Sequence, residues 1–279
     1  MRQGVGFGHS HPVQVLPDLR SRAIAPLRIL FTGLIALLAI TATPAAAASP
    51  FSDWAAIVVS ADNHASGGGH SDVFDNGRRD LVKALVGAGF SSGNILQFSV
   101  QPDREPNPKP FSATPFQSVY DRTMALTEKA PGGCLIYFTS HGSPDGIVLG
   151  DDLLQPQTLA TLVDDACGKR PTVAVISACF SGVFVPALSW PNRLIMTAAR
   201  SDRTSFGCGA EDRYTYFDDC FLQGLTRVSN LQALTTAVPA CVAKKETDMR
   251  AGPPSEPQVS AGAQIRAMLP LYDFAKPSG

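Results

Sequence analysis

Short apolar runs recur along this chain with longer amphipathic stretches between them, and this alternation limits what the chain can fold into. Five of the runs have strand length and few charges: residues 54–60, 94–100, 134–139, 172–177 and 193–198. Amphipathic stretches that predict helices lie at 71–88, 115–130 and 156–167. Near-continuous apolar strands separated by helices indicate a parallel sheet that is covered on both faces. We therefore predict an α/β three-layer sandwich with a mostly parallel central sheet.

The N-terminal segment predicts export. Arg20, Arg22 and Arg28 precede an apolar run at 29–40, and small residues ending in Ala46–Ala48 follow it. A positive region, a short apolar run and an A-x-A end are typical of a secretory signal peptide. The run is shorter than the roughly 20 residues that a membrane span needs, so a retained anchor is the weaker alternative.

We accordingly divide the chain into three segments. Residues 1–48 are a signal peptide with an extended N-terminal region, 49–246 are one α/β domain, and 247–279 are a C-terminal tail that packs on that domain. We expect a periplasmic or secreted protein with no stable membrane association after signal cleavage. The net charge of −1 provides no broad basic surface, which argues against nucleic acid as a partner.

Polar residues suited to nucleophilic catalysis follow three of the predicted strands. Asn63 follows the first strand, His141 and Gly142 follow the third, and Cys179 follows the fourth. Ligands bind such sheets beyond the carboxyl ends of the strands, so we expect these residues to meet at one edge. An imidazole beside a thiol can take its proton and later return a proton to the leaving amine. The backbone N–H groups of Gly142 and Cys179 are placed to stabilise a developing oxyanion.

Other kinds of site are less well supported by the spacing. The first predicted loop contains His64 and His70, but they are six positions apart and lack the H-E-x-x-H pattern of a metal site. Glycines 67–69 lack the pattern of a phosphate-binding loop, and no G-x-S-x-G elbow occurs. We therefore expect no metal and no cofactor.

Five cysteines remain besides Cys179, and in an oxidising compartment some of them are expected to pair. Cys134 opens one predicted strand and Cys167 precedes its neighbour, which makes that pair geometrically reasonable. Cys220 with either Cys208 or Cys241 is a weaker candidate. Because five is odd, at least one cysteine would stay free or pair between molecules; the alternative is that all five are buried thiols.

Two segments resemble the His and Cys blocks of the legumain (asparaginyl endopeptidase) family of caspase-like cysteine peptidases. They are LIYFTSHG at 135–142 and VISACFSG at 175–182, which place His141 and Cys179 38 positions apart. The resemblance covers roughly residues 54–225. It implies a caspase-like fold and a cysteine endopeptidase that acts on peptide or protein substrates through a thioester intermediate.

The resemblance also implies roles for individual residues. Asn63 would orient the catalytic histidine, and Ser205 and Asp219 would contact the P1 side chain of the substrate. Ser177 and His70 complete the predicted substrate-binding set, although Ser177 stands where the family commonly has an acidic residue and His70 follows a glycine where the family has an arginine. These departures leave the P1 preference open between Asn, Asp and a broader choice.

Two alternatives to a hydrolase remain at this point. The thioester can react with an amine instead of water, which would make the protein a transpeptidase or transamidase. A caspase-like binding module without turnover is the other alternative, although both residues of the Cys–His pair are present. The oligomeric state is not predicted.

Overall fold

A six-stranded sheet forms the centre of the fold, and most of its strands coincide with the apolar runs of the sequence. The computed structural model describes residues 48–101 and 115–275. The predicted signal peptide, up to Ala47, lies outside them. The strands are β1 (Trp54–Ser60), β2 (Ile95–Ser99), β3 (Gly133–Thr139), β4 (Gly142–Ser143), β5 (Gly146–Leu149), β6 (Asp152–Leu154), β7 (Thr172–Ser177), β8 (Arg193–Thr197) and β9 (Gln258–Ala261).

The order of strands in the main sheet is β2-β1-β3-β7-β8-β9. The first five strands are parallel, and β9 pairs antiparallel with β8 at one edge. Strands β4, β5 and β6 form a separate small antiparallel sheet. Because β1, β3 and β7 are adjacent and parallel, their carboxyl ends lie side by side at one edge.

Helices cover both faces of the main sheet. They are α1 (Val73–Gly87), α2 (Pro115–Lys129), α3 (Pro156–Cys167), α4 (Phe184–Leu188), α5 (Tyr216–Arg227), α6 (Leu231–Met249) and α7 (Ala263–Met268). Buried residues of α1, α5, α6 and α7 share one hydrophobic cluster, and those of α2, α3 and α4 share the other. The predicted three-layer α/β sandwich is confirmed.

Strand β1 shows why its sequence is apolar throughout. Ala56 and Val58 belong to one hydrophobic cluster, while Ile57 and Val59 belong to the other. Successive side chains of a strand point to opposite faces, so a strand with helices on both sides needs apolar residues at every position. Such a strand is therefore visible in the sequence as a continuous run.

The C-terminal region contributes to the sheet itself. Helix α6 runs to Met249, past the predicted boundary at residue 246, and β9 follows as the antiparallel edge strand. Neither β9 nor the small sheet of β4, β5 and β6 was predicted. Strands of two to four residues are too short to show a period in the sequence.

Each face of the main sheet has one disulfide that joins two elements. Cys134 of β3 pairs with Cys167 at the end of α3, and Cys220 of α5 pairs with Cys241 of α6. The structure thus selects one arrangement from those left open by the sequence. Cys179 and Cys208 are free thiols.

None of the helices within 48–101 and 115–275 is long and apolar enough to cross a membrane.

Candidate active site

The sheet brings the predicted catalytic segments to one edge. Thr139, two residues before His141, is the register partner of Ser177, two residues before Cys179. Ser60, just before the loop that contains Asn63, is the partner of Thr139 on its other side. The loops that follow β1, β3 and β7 therefore leave the sheet next to one another.

A cleft of about 550 Å³ opens at this edge, and both His141 and Cys179 lie in its wall. We call it the Cys179 cleft. Its other walls come from the loop after β1 and from the loop between β8 and α5. They are formed by Ala65, Ser66, Thr204, Ser205, Phe206, Gly207, Cys208, Gly209 and Asp212.

The Cys179 thiol is partly buried and receives a hydrogen bond from the backbone. The N–H of Ser205 donates to Cys179 Sγ at 3.2 Å, and Ser205 Oγ lies 3.5 Å from the same sulfur. The carbonyl oxygen of Ser205 lies 3.7 Å from the sulfur and can accept from the thiol. The loop between β8 and α5 thus holds the Cys179 sulfur in the wall of the cleft.

The His141 ring is held by a backbone carbonyl. His141 Nε2 lies 3.0 Å from the carbonyl oxygen of His64. A carbonyl can only accept, so Nε2 carries the hydrogen and Nδ1 of the neutral ring keeps its lone pair. The ring also packs edge-to-face against Phe74, with centroids 5.1 Å apart. This arrangement makes Nδ1 the nitrogen that can accept a proton.

The turn that presents the His64 carbonyl is organised by a buried carboxylate. Asp62 Oδ1 accepts hydrogen bonds from the backbone N–H of Asn63 at 2.7 Å and of His64 at 3.1 Å, and lies 2.7 Å from His64 Nδ1. Asp62 is 5% exposed, so this carboxylate faces the protein rather than the solvent. It fixes the backbone that in turn fixes His141.

The role predicted for Asn63 needs a correction at this point. The group that contacts the His141 ring is the backbone carbonyl of the next residue, His64, and not the side chain of Asn63. Asn63 contributes its own carbonyl, which accepts from the N–H of Ser71 at 2.9 Å and closes the loop.

Gly142 lies against the backbone of Cys179, as the predicted oxyanion site requires. A Cβ at position 142 would stand 2.2 Å from the carbonyl oxygen of Cys179 and 3.1 Å from the Cβ of Ala178. Nothing larger than glycine fits there without moving the main chain. The two N–H groups predicted to stabilise an oxyanion therefore belong to segments in direct contact.

Of the four predicted substrate-binding residues, only Ser205 is found in the Cys179 cleft. Ser177 is buried, and its Oγ lies 3.2 Å from Oγ1 of Thr215, at the start of α5. Alternation along β7 puts Ser177 on the same face as Val173 and Val175, under the α5 layer. The prediction for Ser177 is corrected for this reason.

Asp219 and His70 also lie elsewhere. Asp219 forms an ion pair with Lys245 and lines a separate cleft of about 800 Å³ between α1 and α5. His70 Nε2 lies 2.9 Å from Asp72 Oδ1 and is outside the described wall of the Cys179 cleft. The carboxylate in that wall is Asp212, seven positions before Asp219. The helical turn at the start of α5 carries Asp219 away from the cleft.

Several residues of the cleft were not predicted. Ser66 and Cys208 both line it, and the N–H of Ser66 donates to the carbonyl of Cys208 at 2.8 Å, which joins the two loops. Burial raises the pKa of the Cys208 thiol, and the nearby Cys179 raises it further. Irregular loops show no periodic pattern of apolar residues, so these residues could not be placed from the sequence. The presence of an unpaired cysteine, Cys208, was the one indication available.

Comparisons with known proteins found a family match and a similar fold. Residues 119–250, which include His141, Gly142 and Cys179, match the model of the Peptidase C13 family. The fold is similar to the crystal structure of caspase-1 from Spodoptera frugiperda, with a TM-score of 0.54 and 16% sequence identity. That match covers 76% of this chain and 88% of the caspase chain. No curated protein matches the sequence.

Proposed function

Since residues 119–250 match the Peptidase C13 family and the fold is caspase-like, we propose that this chain is a cysteine endopeptidase in which Cys179 is the nucleophile and His141 the general base and acid. The observation that carries the proposal is the placement of both side chains in one cleft. The hydrogen bond from His141 Nε2 to the His64 carbonyl supports it, because it leaves Nδ1 ready to accept a proton.

The proposed reaction proceeds by acyl transfer. His141 Nδ1 takes the thiol proton, and Cys179 Sγ forms a bond to the carbonyl carbon of the substrate. The N–H groups of Gly142 and Cys179 donate to the oxyanion. The C–N bond then breaks as His141 returns the proton to the leaving amine, and a thioester remains. Water attacks the thioester, His141 accepts a proton from that water, and the thiol is restored with release of a carboxylic acid.

Export is part of the proposal. The N-terminal sequence has the pattern of a signal peptide, and two disulfides join described elements. Disulfides persist in oxidising compartments, which fits a periplasmic or secreted enzyme. Expression with and without residues 1–48, followed by fractionation and N-terminal sequencing of the mature protein, tests this point.

The decisive experiment for the peptidase function is cleavage-site profiling on a peptide library. We expect the wild type to cleave and both Cys179→Ala and His141→Ala to lose cleavage. Cys208→Ala is the matched control, because it removes the other free thiol of the same cleft and should retain cleavage. Cleavage that persists in Cys179→Ala would contradict the proposal.

The same assay decides between hydrolysis and transfer. Adding a peptide with a free N-terminus gives ligated products if the thioester reacts with amines, and mass spectrometry detects them. Limiting iodoacetamide provides a second readout. It should modify Cys179 before Cys208, because burial raises the pKa of Cys208 and keeps that thiol protonated.

A further inference from the structure

The walls of the Cys179 cleft carry an asymmetric distribution of charge. Asp212 contributes a carboxylate, whereas none of the described lining residues is a lysine or an arginine. His141 also lies in the wall, and its Nε2–H donates to the His64 carbonyl. An anionic side chain that entered this cleft would meet the like charge of Asp212, and no lysine or arginine of the described wall would offset that charge.

The Asp212 carboxylate is available to a ligand. One oxygen, Oδ2, accepts a hydrogen bond from the backbone N–H of Gly209 at 2.8 Å, which fixes the side chain in the wall. Within the described residues no lysine or arginine forms an ion pair with it, in contrast to Asp202 and Asp80, which pair with neighbouring cations. Its second oxygen can therefore accept from an incoming donor.

The rest of the cleft suits a long side chain with a polar end. Ala65 and the partly buried ring of Phe206 provide apolar wall, and Ser66 and Thr204 provide hydroxyl groups. Lysine and arginine side chains place their methylene stems along apolar surface and keep the charged head near polar groups. In an acyl-enzyme the substrate carbonyl is bonded to Cys179 Sγ, so the P1 side chain begins beside this cleft.

We propose that Asp212 is a specificity-determining residue that makes the Cys179 cleft select a cationic P1 side chain, lysine or arginine, over aspartate. The inference rests on the proposed peptidase function. The family resemblance leaves the P1 residue open between Asn, Asp and a broader choice. The charge of Asp212 makes aspartate the least favourable P1 residue, and asparagine, which is uncharged, is neither attracted nor repelled by it.

A series of four quenched-fluorescence peptides that differ only at P1, with Lys, Arg, Asn and Asp, tests the proposal. In the wild type, kcat/KM for the Lys or Arg peptide should exceed that for the Asp peptide by about 10-fold or more. Asp212→Asn should lower kcat/KM for the cationic peptides by about three- to fivefold, because Asp212 is exposed and ion pairs with exposed carboxylates are weak. The Asn peptide should change by less than about twofold, because a neutral amide gains little from the charge.

Glu211→Gln is the matched control. It removes a carboxylate from the neighbouring exposed position, which is outside the described wall of the cleft, and should leave the P1 order unchanged. Asp212→Lys should reverse the preference toward the Asp peptide. Faster cleavage of the Asp peptide by Asp212→Lys would also show that this variant is folded, since an unfolded variant cannot gain activity on any peptide.

The possible results distinguish the role of Asp212 from the proposed peptidase function. If the wild type cleaves the series in a Cys179-dependent way but prefers Asp, or if Asp212→Asn leaves the order intact, only the role of Asp212 is overturned. If no peptide is cleaved, or if Cys179→Ala cleaves as well as the wild type, the proposed function fails and the specificity assignment fails with it.

Discussion

The carboxylate of Asp218, near the start of α5, accepts a hydrogen bond of 2.6 Å from the hydroxyl of Tyr137 on β3. The hydroxyl of Thr139, two residues along the same strand, donates to its other oxygen at 2.6 Å. Asp218 is 1% exposed, and a Cβ on Gly77 of α1 would stand 2.8 Å from it. A buried carboxylate thus clamps the end of the strand that carries His141.

Replacing Asp218 by asparagine should change how stability depends on pH. Burial raises the pKa of Asp218 above 3.8, so the folded state binds this proton more tightly than the unfolded state. The resulting stabilisation is complete below the unfolded pKa and is lost as the pH rises through the folded pKa. The free energy of unfolding of Asp218→Asn should therefore fall less on going from pH 4 to pH 8 than that of the wild type.

Urea unfolding at several pH values measures this difference. Asp151→Asn, an exposed carboxylate in a loop, serves as the control and should follow the wild-type curve. Parallel curves for the wild type and Asp218→Asn would show that the buried carboxylate does not titrate as described.

Gly142→Ala should abolish most of the activity. The added methyl group would stand 2.2 Å from the Cys179 carbonyl oxygen, so the two segments that carry the proposed oxyanion donors must separate. Loss of one such donor costs on the order of 10²- to 10³-fold in kcat. Gly67→Ala is the control in the neighbouring loop, because nothing lies within 4 Å of a Cβ there. Steady-state kinetics that show equal activity for the two variants would refute the assignment.

Asp62→Ala should lower kcat by about 10- to 100-fold, because the His64 carbonyl would lose the turn that positions it, and small misplacements of a catalytic group are costly. Asp62→Asn keeps an oxygen for the two backbone N–H groups and should recover part of the loss. His64→Ala keeps the backbone carbonyl and removes a mostly exposed ring, so it should have a smaller effect than Asp62→Ala.

Separate values of kcat and KM distinguish positioning of His141 from general destabilisation. We expect Asp62→Ala to lower kcat with little change in KM, and His64→Ala to change kcat less. Asn63→Ala belongs in the same series. If it lowers kcat more than Asp62→Ala does, the side chain of Asn63 orients His141 after all.

Removing the disulfide between α5 and α6 should lower stability and spare catalysis. The bond closes a loop with a sequence separation of 21, and loop closure of this length predicts a loss of about 3 kcal/mol in the free energy of unfolding. The double variant Cys220→Ala, Cys241→Ala should therefore melt at a lower temperature but cleave peptides with wild-type kcat when folded. Cys208→Ala closes no loop and is the thermal control. A double variant as stable as the wild type would contradict this expectation.

The strands and helices that could be predicted are those whose pattern of apolar residues lies within one short stretch of sequence. The predicted runs at 54–60 and 172–177 coincide with β1 and β7, and α3 has its predicted bounds of Pro156–Cys167. These elements are buried on both faces or along one stripe, and that burial imposes a period on the residues themselves. The pair of catalytic candidates, Cys179 and His141, was predicted in the same way, from polar residues placed directly after such strands.

The side chains around that pair could not be predicted in this way. Asp219 and Asp212 lie in one stretch of sequence, yet the first turn of α5 directs Asp219 to Lys245 and leaves Asp212 in the cleft. Ser177 is two residues from Cys179, and strand alternation turns it under α5. A position in the chain fixes neither the loop path nor the face from which a side chain projects.

The amino-acid sequence by itself determined the layered α/β architecture and the segments that end at the edge with the Cys179 cleft. Burial restricts the residue type at each position of a strand or helix, so these elements are visible in the sequence. The tertiary structure alone decided which carboxylate lines the cleft, which carbonyl holds the His141 ring and which cysteines pair. Those contacts join loops far apart in the chain, and their geometry depends on how the whole sheet and its helices pack.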